Sequence, residues 1–185
     1  MDYYYGLGRP KKWGKRGVEV LNDPRLKIQP IDKIKDLVIE RKRRGEKIVF
    51  TNGCFDLLHI GHTRYLWQAR SCGDCLLIGL NSDRSIRAIK GQMRPIIPQE
   101  QRAELLAALE CVDLVVIFDE PDPLGLIRLV QPDILVKGAD WGYDQIIGRE
   151  VVEAEGGRVV RIPLVPGVST TAIINLIRTR FGGNG

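Results

Sequence analysis

The chain contains only two histidines, His59 and His62, and they stand three positions apart. They follow a short apolar, β-branched run at 48–50, typical of a buried parallel strand, and they open a stretch of helical spacing over 61–71. Free backbone N–H groups and the helix dipole favour anions at such a helix entrance. Two imidazoles can donate hydrogen bonds to phosphoryl oxygens, and Gly61 leaves room for a ligand near the backbone. The pattern predicts a phosphate site; incidental hydrogen bonding at a helix entrance is the alternative.

The elements that would position this site alternate along the chain. Apolar strand candidates lie at 48–50, 76–80, 114–118, 134–136 and 159–162. Helix candidates lie at 32–44, 61–71, 83–89, 99–109, 123–130 and 144–155, with a last helix after Ser169. This order predicts an α/β fold, a Rossmann-like five-stranded parallel sheet with helices on both faces and a ligand crevice at the carboxyl ends of the strands. No P-loop or GxGxxG pattern occurs, which disfavours a P-loop kinase and an ordinary dinucleotide dehydrogenase.

The net charge of +5 is unevenly distributed. Residues 1–45 carry 13 Lys/Arg against 6 Asp/Glu, whereas residues 46–185 carry 15 against 17. We therefore expect a basic N-terminal extension and helix over 1–45, followed by the catalytic domain over 46–185. The basic run of Lys11, Lys12, Lys15 and Arg16 is expected to be a solvated surface, so no nucleic-acid partner is predicted. No apolar stretch approaches the roughly 18 residues of a membrane span, and the start lacks a signal-peptide core, so a cytoplasmic location is expected.

Four cysteines raise a second possibility, since Cys72 and Cys75 form a CxxC pair that could bind zinc together with the two histidines. The histidines open the helix that ends near Cys72, so the two pairs would lie roughly 15 Å apart. A redox CxxC usually stands at a helix N-terminus, whereas this pair follows a helix. Reduced, structural cysteines and no protein-bound metal are therefore expected.

Several sequence blocks in a fixed order carry a resemblance to a known family. The block TNGCFDLLHIGH at 51–62 resembles the HxGH signature of the nucleotidyltransferase superfamily. The wider match is to the D-glycero-D-manno-heptose 1-phosphate adenylyltransferases, which occur alone or as the C-terminal half of a bifunctional kinase/adenylyltransferase. The other blocks are GLNSDRSIRAIKG at 79–91, Arg94-Pro95, Gln101-Arg102, ILVKGADW at 134–141 and VSTTAII at 168–174. Six ordered blocks are far more specific than HxGH alone.

The resemblance implies a reaction. AMP would move from ATP to D-glycero-D-manno-heptose 1-phosphate, giving ADP-heptose and pyrophosphate. The sugar phosphate would attack the α-phosphorus directly, so alignment and charge stabilisation would supply the catalysis. Mg²⁺ is expected to accompany ATP, because it bridges triphosphate oxygens and needs few protein ligands. The resemblance also implies a homodimer.

The resemblance further assigns residues to roles. His59, His62 and Lys90 would be catalytic. Nucleotide contacts would come from Asn52, Gly53, Phe55, Gly61, Arg94, Arg102, Lys137, Gly138, Asp140, Trp141, Ser169, Thr170 and Thr171. The hydroxyl group of Ser169 would also suit a helix N-cap, and both roles can hold. Apart from the resemblance, Asp56 is expected to orient an adjacent backbone turn in preference to helping a magnesium site, because a lone carboxylate is weak evidence for a metal.

Two other functions stay open at this point. The first is a cytidylyltransferase acting on glycerol 3-phosphate or ethanolamine phosphate, which would share the same site logic. The opening TNGCF at 51–55, Lys137, and Leu164 where cytidylyltransferases carry an arginine all favour the heptose group. The second is a non-catalytic nucleotide-binding module, with the basic extension binding a partner.

Overall fold

The computed structural model describes residues 23–182, and the predicted basic run at 11–16 lies outside them. The five strands are β1 (Ile48–Gly53), β2 (Cys75–Asn81), β3 (Leu114–Phe118), β4 (Ile134–Gly138) and β5 (Arg158–Ile162). The α-helices are α1 (Ile31–Arg43), α2 (Ile60–Arg70), α3 (Asp83–Lys90), α4 (Gln99–Ala107), α5 (Leu124–Val130), α6 (Arg149–Ala154) and α7 (Thr170–Phe181). Short 3₁₀ helices lie at Pro24–Lys27 and Tyr143–Gln145.

All neighbouring strands are parallel and follow the order β3-β2-β1-β4-β5, which confirms the predicted Rossmann-like α/β fold. Phe50 at the centre of β1 pairs with Leu77 of β2 and Leu135 of β4. The chain winds outward from β1 to β3 and then returns to place β4 on the other side of β1. The strand order therefore reverses between β1 and β4, and a crevice opens there at the carboxyl ends of the strands.

Apolar helices cover both faces of the sheet. On one face α2 and α4 pack against alternate strand residues, and the predicted apolar side of α2, at Tyr65, Leu66 and Ala69, is buried. On the other face, α1, α5 and α6 pack against the intervening strand residues. The helix α1 ends before Gly45, whose φ of 83° lies in the left-handed region that glycine adopts readily after a helix.

One helix prediction was wrong. The pattern over 144–155 predicts a single helix, but the structure has a 3₁₀ turn at Tyr143–Gln145 and starts α6 only at Arg149. Gly148 separates them with a φ of 88°, a conformation that favours glycine. A Cβ at this position would overlap the side chain of Ile127 in α5. The break therefore lets the chain pack closely on α5 before α6 begins.

The two edges of the sheet differ. Ile28 forms a parallel bridge with Val115 of β3, and the Gln29 N–H donates to the Val115 carbonyl at 2.8 Å. The other edge is β5, on which Arg158 and Arg161 are exposed. The division of the chain at residue 45 stays a prediction, although within residues 23–182 helix α1 belongs to the same core as the strands. No helix in this range is long and apolar enough to cross a membrane.

Gly73, in the turn between α2 and β2, gives a stability test. A Cβ there would lie 2.7 Å from Val49 Cγ2 and 2.8 Å from the Lys47 carbonyl oxygen. We expect Gly73→Ala to lower the free energy of unfolding by about 1–3 kcal/mol, measured by urea denaturation. Gly125→Ala is the control: nothing lies within 4 Å of its Cβ position, so the helix should be unchanged or gain up to about 1 kcal/mol. Equal stabilities for the two variants would contradict the close packing at Gly73.

Candidate active site

A cavity of about 560 Å³ lies at the carboxyl ends of the strands. It is lined by thirteen of the sixteen residues predicted for the site: Asn52, Gly53, Phe55, His59, Gly61, His62, Lys90, Lys137, Gly138, Asp140, Trp141, Ser169 and Thr170. These residues come from four separate parts of the chain, and the sheet topology brings them to one hollow. Their individual roles stay predictions.

The two histidines form a fixed pair. His59 is the N-cap of α2, and its Nδ1 accepts a hydrogen bond from the His62 backbone N–H at 3.4 Å. The two rings stack with centroids 3.8 Å apart and an angle of 16° between their planes. Because Nδ1 of His59 is an acceptor, its neutral ring carries the proton on Nε2. The cap therefore fixes both the orientation of this imidazole and its tautomer.

His62 is held as a neutral imidazole. Its ring packs between His59 and Phe55, whose centroid lies 5.2 Å away. Burial, followed by the neighbouring His59, lowers the pKa of His62 to about 4. Burial also lowers the pKa of His59. Nδ1 of His62 is buried without a protein partner that meets hydrogen-bond geometry. Near neutral pH both rings are therefore uncharged N–H donors.

Gly61 has a further role besides the predicted one of leaving room for a ligand, which stays a prediction. A Cβ there would come 2.9 Å from Cε1 and Nδ1 of His59, so the glycine makes space for the capping imidazole. The preceding loop also carries local strain, since Phe55 has a φ of 43°, which is rare for a bulky side chain. Such strain persists where surrounding contacts enforce it, and it is common at functional sites.

The carboxyl end of β4 brings a cation, Lys137, into the cavity. Burial lowers the pKa of Lys137 to about 8. Its Nζ donates to Oδ1 of Asn52 at the end of β1 and lies 5.9 Å from the ring centroid of Trp141. Trp141 itself is about half exposed and lines the cavity. The hydrogen bond between Lys137 and Asn52 connects β4 to β1 where the strand order reverses. This part of the cavity therefore offers one amine and one accessible aromatic ring.

A second helix N-terminus faces the same hollow. Ser169 caps α7 by accepting the Ala172 N–H at 3.1 Å, as its sequence position predicts. Val168, just before it, comes within 3.8 Å of the position a Cβ would take on Gly61. The N-termini of α2 and α7 therefore meet at one cavity wall, and their free N–H groups and dipoles both favour an anion there.

Arg102 is a correction to the predicted site. Its side chain is fully buried and lies outside the cavity lining. The guanidinium donates to the carbonyls of Ile97, Cys54 and Asn81 and to the carboxylate of Asp83. All three of its nitrogens are engaged in this network, which leaves it no access to a phosphate. Arg102 instead connects α4 to the loop between β1 and α2 and to the end of β2.

Arg94 and Thr171 also lie outside the cavity lining. The Nε of Arg94 donates to Asp56 at 2.6 Å. Asp56, only 1% exposed, also accepts the backbone N–H groups of Ile96 and Ile97 at 2.8 and 3.0 Å. The predicted adjacent turn was therefore wrong, since the turn that Asp56 orients lies about 40 residues away along the chain. Its carboxylate is thereby occupied.

The cavity lining also includes residues that were not predicted for the site: Cys54, Tyr65, Asn81, Ile89, Pro121, Asp122, Pro123, Ile146, Ile147, Leu164, Val165 and Val168. Asn81 ends β2 and Asp122 follows β3, so the rule that ligands bind at carboxyl ends of strands could have identified both. The apolar residues have no comparable signal, because their pattern resembles that of core residues.

Comparison with known proteins agrees with this geometry. A family model described as cytidylyltransferase-like matches residues 50–176. The chain belongs to the cytidylyltransferase-like family. The match begins within β1 and ends within α7, so it contains both helix N-termini and all the loops that line the cavity.

The relatives include two proteins named "Bifunctional protein HldE". The one from Geobacter sulfurreducens is 53% identical over 156 residues, covering 84% of this chain and 32% of the relative. The one from Geotalea uraniireducens is 54% identical over 157 residues, covering 85% of this chain and 32% of the relative. The chain thus spans about a third of the length of the curated relatives it matches.

Two solved structures share the fold. A lipopolysaccharide core biosynthesis protein from Thermoplasma volcanium aligns with a TM-score of 0.54 and 29% identity, covering 65% of this chain and 98% of that chain. A pantoate-beta-alanine ligase from Francisella tularensis aligns with a TM-score of 0.55, covering 85% of this chain and 79% of that chain. The second is only 17% identical, so it supports the fold alone.

The buried neutral His62 should make stability depend on acid. Its pKa is about 4 in the folded chain, against about 6.5 when unfolded. Between these values the unfolded chain binds more protons, so this contribution is complete above pH 6.5 and is lost as the pH falls towards 4. We expect the wild type to lose about 2 kcal/mol more than His62→Gln over that range, measured by urea unfolding. Equal losses would contradict a buried neutral ring.

Proposed function

We propose that the chain is a nucleotidyltransferase that moves AMP from ATP to D-glycero-D-manno-heptose 1-phosphate, giving ADP-heptose and pyrophosphate. One observation carries the proposal. The stacked imidazoles at the N-terminus of α2, the N-terminus of α7 and the amine of Lys137 all border one cavity. Neutral donors, helix dipoles and one cation together suit a triphosphate whose charge shifts during reaction.

The reaction needs no protein nucleophile. An oxygen of the acceptor phosphate bonds to the α-phosphorus of ATP while the bond from that phosphorus to the bridging oxygen of the β-phosphate breaks. The electron pair of that bond leaves with pyrophosphate. The Nε2–H group of His59 and the ring of His62 would donate to the phosphoryl oxygens, and Lys137 would neutralise charge. Because the N-cap hydrogen bond and the ring stack fix both imidazoles before the substrates bind, the site needs little reorganisation during the reaction.

Mg²⁺ fits this site as a companion of ATP. Within residues 23–182 no group of three or more His, Cys, Asp or Glu side chains could hold a metal ion. Asp56, the carboxylate in the loop between β1 and α2, already accepts three hydrogen bonds within the protein. A cation that keeps triphosphate oxygens and water as its ligands needs no such cluster. When bound, Mg²⁺ would offset the charge of the triphosphate.

Adenylyl transfer is favoured over cytidylyl transfer by Leu164 and by the relatives. Leu164 lines the cavity where the resemblance places an arginine in cytidylyltransferases. A leucine cannot supply the charged hydrogen bonds of a guanidinium. The identity of 53% to a protein named "Bifunctional protein HldE" also supports the heptose assignment. A homodimer and a cytoplasmic location belong to the same proposal.

The proposal predicts turnover that depends on His62. We expect pyrophosphate release with ATP and D-glycero-D-manno-heptose 1-phosphate, and a fall in kcat of about 10²–10³ in His62→Ala because one preorganised donor is lost. Arg64→Ala, exposed on the same helix, is the control and should keep wild-type kcat. Release only with CTP and glycerol 3-phosphate or ethanolamine phosphate would support cytidylyl transfer. ATP binding without release would support a non-catalytic module.

The lowered pKa of Lys137 predicts that kcat/KM for ATP falls at alkaline pH. Its pKa of about 8 means that the cation is present below pH 8 and is lost as the pH rises above it. We expect kcat/KM for ATP to fall about tenfold per pH unit above 8, because this parameter reports groups of the free enzyme. Lys137→Arg should remove that fall, since a guanidinium stays protonated. An identical profile in the variant would contradict a charged role for Lys137.

A further inference from the structure

The cavity continues past the residues that the nucleotide would use. Asn81 at the end of β2, Lys90 at the end of α3 and the segment 121–123 after β3 all line it. Trp141 lines it from the loop after β4. In the strand order β2 and β3 lie on one side of β1, and β4 lies on the other. With neighbouring strands about 4.8 Å apart, the end of β3 stands about 14 Å from the end of β4.

The residues that line the cavity therefore stand on both sides of β1, the strand that leads to the histidine pair, and form two parts of its lining. The part above β4 holds the aromatic surface of Trp141 and the amine of Lys137. The part above β2 and β3 holds a second cation, Lys90, and one carboxylate, Asp122. The lining here thus offers both a cation for a phosphate group and an acceptor for hydroxyl groups, as the two ends of a sugar phosphate require. The β2–β3 part therefore suits the acceptor of the proposed reaction.

Asp122 is held in place by its neighbours along the chain. It stands between Pro121 and Pro123, whose rings restrict the backbone and offer apolar surface to the cavity. Its Oδ1 accepts the Leu124 N–H at 2.8 Å, which orients the carboxylate at the start of α5. An ionised carboxylate has two oxygens and about four acceptor positions, so this bond leaves capacity for hydroxyl donors.

Asp122 also differs from Asp119, an acidic residue of the same loop. Asp119 forms an ion pair with Arg84 at 3.1 Å and does not line the cavity. Asp122 lines the cavity and is half-buried. Hydrogen bonds to charged acceptors are stronger than neutral ones, and more so where water is partly excluded. A sugar with several hydroxyl groups can therefore gain specificity there.

We infer that Asp122 is a specificity-determining residue that accepts hydroxyl hydrogen bonds from a polyhydroxylated sugar 1-phosphate in the β2–β3 part of the cavity. The inference rests on the proposed function, because it places the acceptor of that reaction. Asp122 takes no part in the bond changes at phosphorus. Its effect is to hold the sugar so that the phosphate reaches the α-phosphorus of ATP from the Lys90 side.

The test compares Asp122→Asn with the wild type and with Asp119→Asn, using the full chain, ATP, Mg²⁺ and D-glycero-D-manno-heptose 1-phosphate. The asparagine Oδ1 can still accept the Leu124 N–H, so the melting temperature should stay the same while the charged acceptor is lost. We expect kcat/KM for the sugar phosphate to fall about 10–100-fold in Asp122→Asn, the loss typical of a hydrogen bond to a charged group. KM for ATP and the Mg²⁺ requirement should be unchanged, and Asp119→Asn should match the wild type.

Several outcomes would overturn the inference. A kcat/KM for the sugar phosphate within threefold of the wild type would remove Asp122 from the acceptor site and leave the proposed function intact. An equal rise in KM for ATP, or a higher Mg²⁺ requirement, would assign Asp122 to the nucleotide or its cation. A lower melting temperature, together with an equal loss of kcat/KM for every substrate, would reduce the role of Asp122 to its hydrogen bond with the Leu124 N–H. No wild-type turnover with any sugar 1-phosphate would overturn the proposed function and this inference together.

Discussion

The hydrogen bond from the His62 backbone to Nδ1 of His59 is the interaction on which the rest of the site depends. It begins α2, sets the tautomer of one imidazole and brings the second ring into a stack 3.8 Å away. The stack in turn desolvates His62 and keeps it uncharged. A single cap therefore determines helix position, ring orientation and protonation state, and Gly61 is the residue that makes the cap sterically allowed.

The binding of an anion in this cavity would depend on local groups, because its two lysines, Lys90 and Lys137, are matched by two carboxylates, Asp122 and Asp140. Residues 46–185 carry slightly more acidic than basic side chains, so long-range attraction by this region cannot explain anion binding. The attraction comes from two helix N-termini and from cations that converge on one hollow. The order β3-β2-β1-β4-β5 creates this convergence, because β1 and β4 are adjacent in the sheet although about 80 residues separate them in sequence. Winding outward and then returning places the residues that line the cavity on opposite sides of β1.

The sequence was informative where local chemistry determines structure. Short apolar runs predicted all five strands, and Ser169 predicted the start of α7. It failed where tertiary contacts decide. Gly148 breaks a convincing helical pattern because the chain must pack on Ile127. Arg102 has the sequence position of a phosphate-binding arginine, yet it donates its hydrogen bonds to three carbonyls and to Asp83. No sequence pattern contains that information. Asp122 escaped notice because a lone carboxylate between prolines resembles an ordinary loop.

The covered edge of β3 limits how two copies of the chain could associate. Ile28 and Gln29 already occupy backbone groups of Val115, so a partner strand would first have to displace this segment. At β5 an incoming strand would meet the guanidinium groups of Arg158 and Arg161, and facing copies would repel. Continuous sheets running through two molecules are therefore disfavoured at both ends. Any symmetric pair would have to form through helix or loop surfaces, leaving each crevice with its own complete set of strand ends.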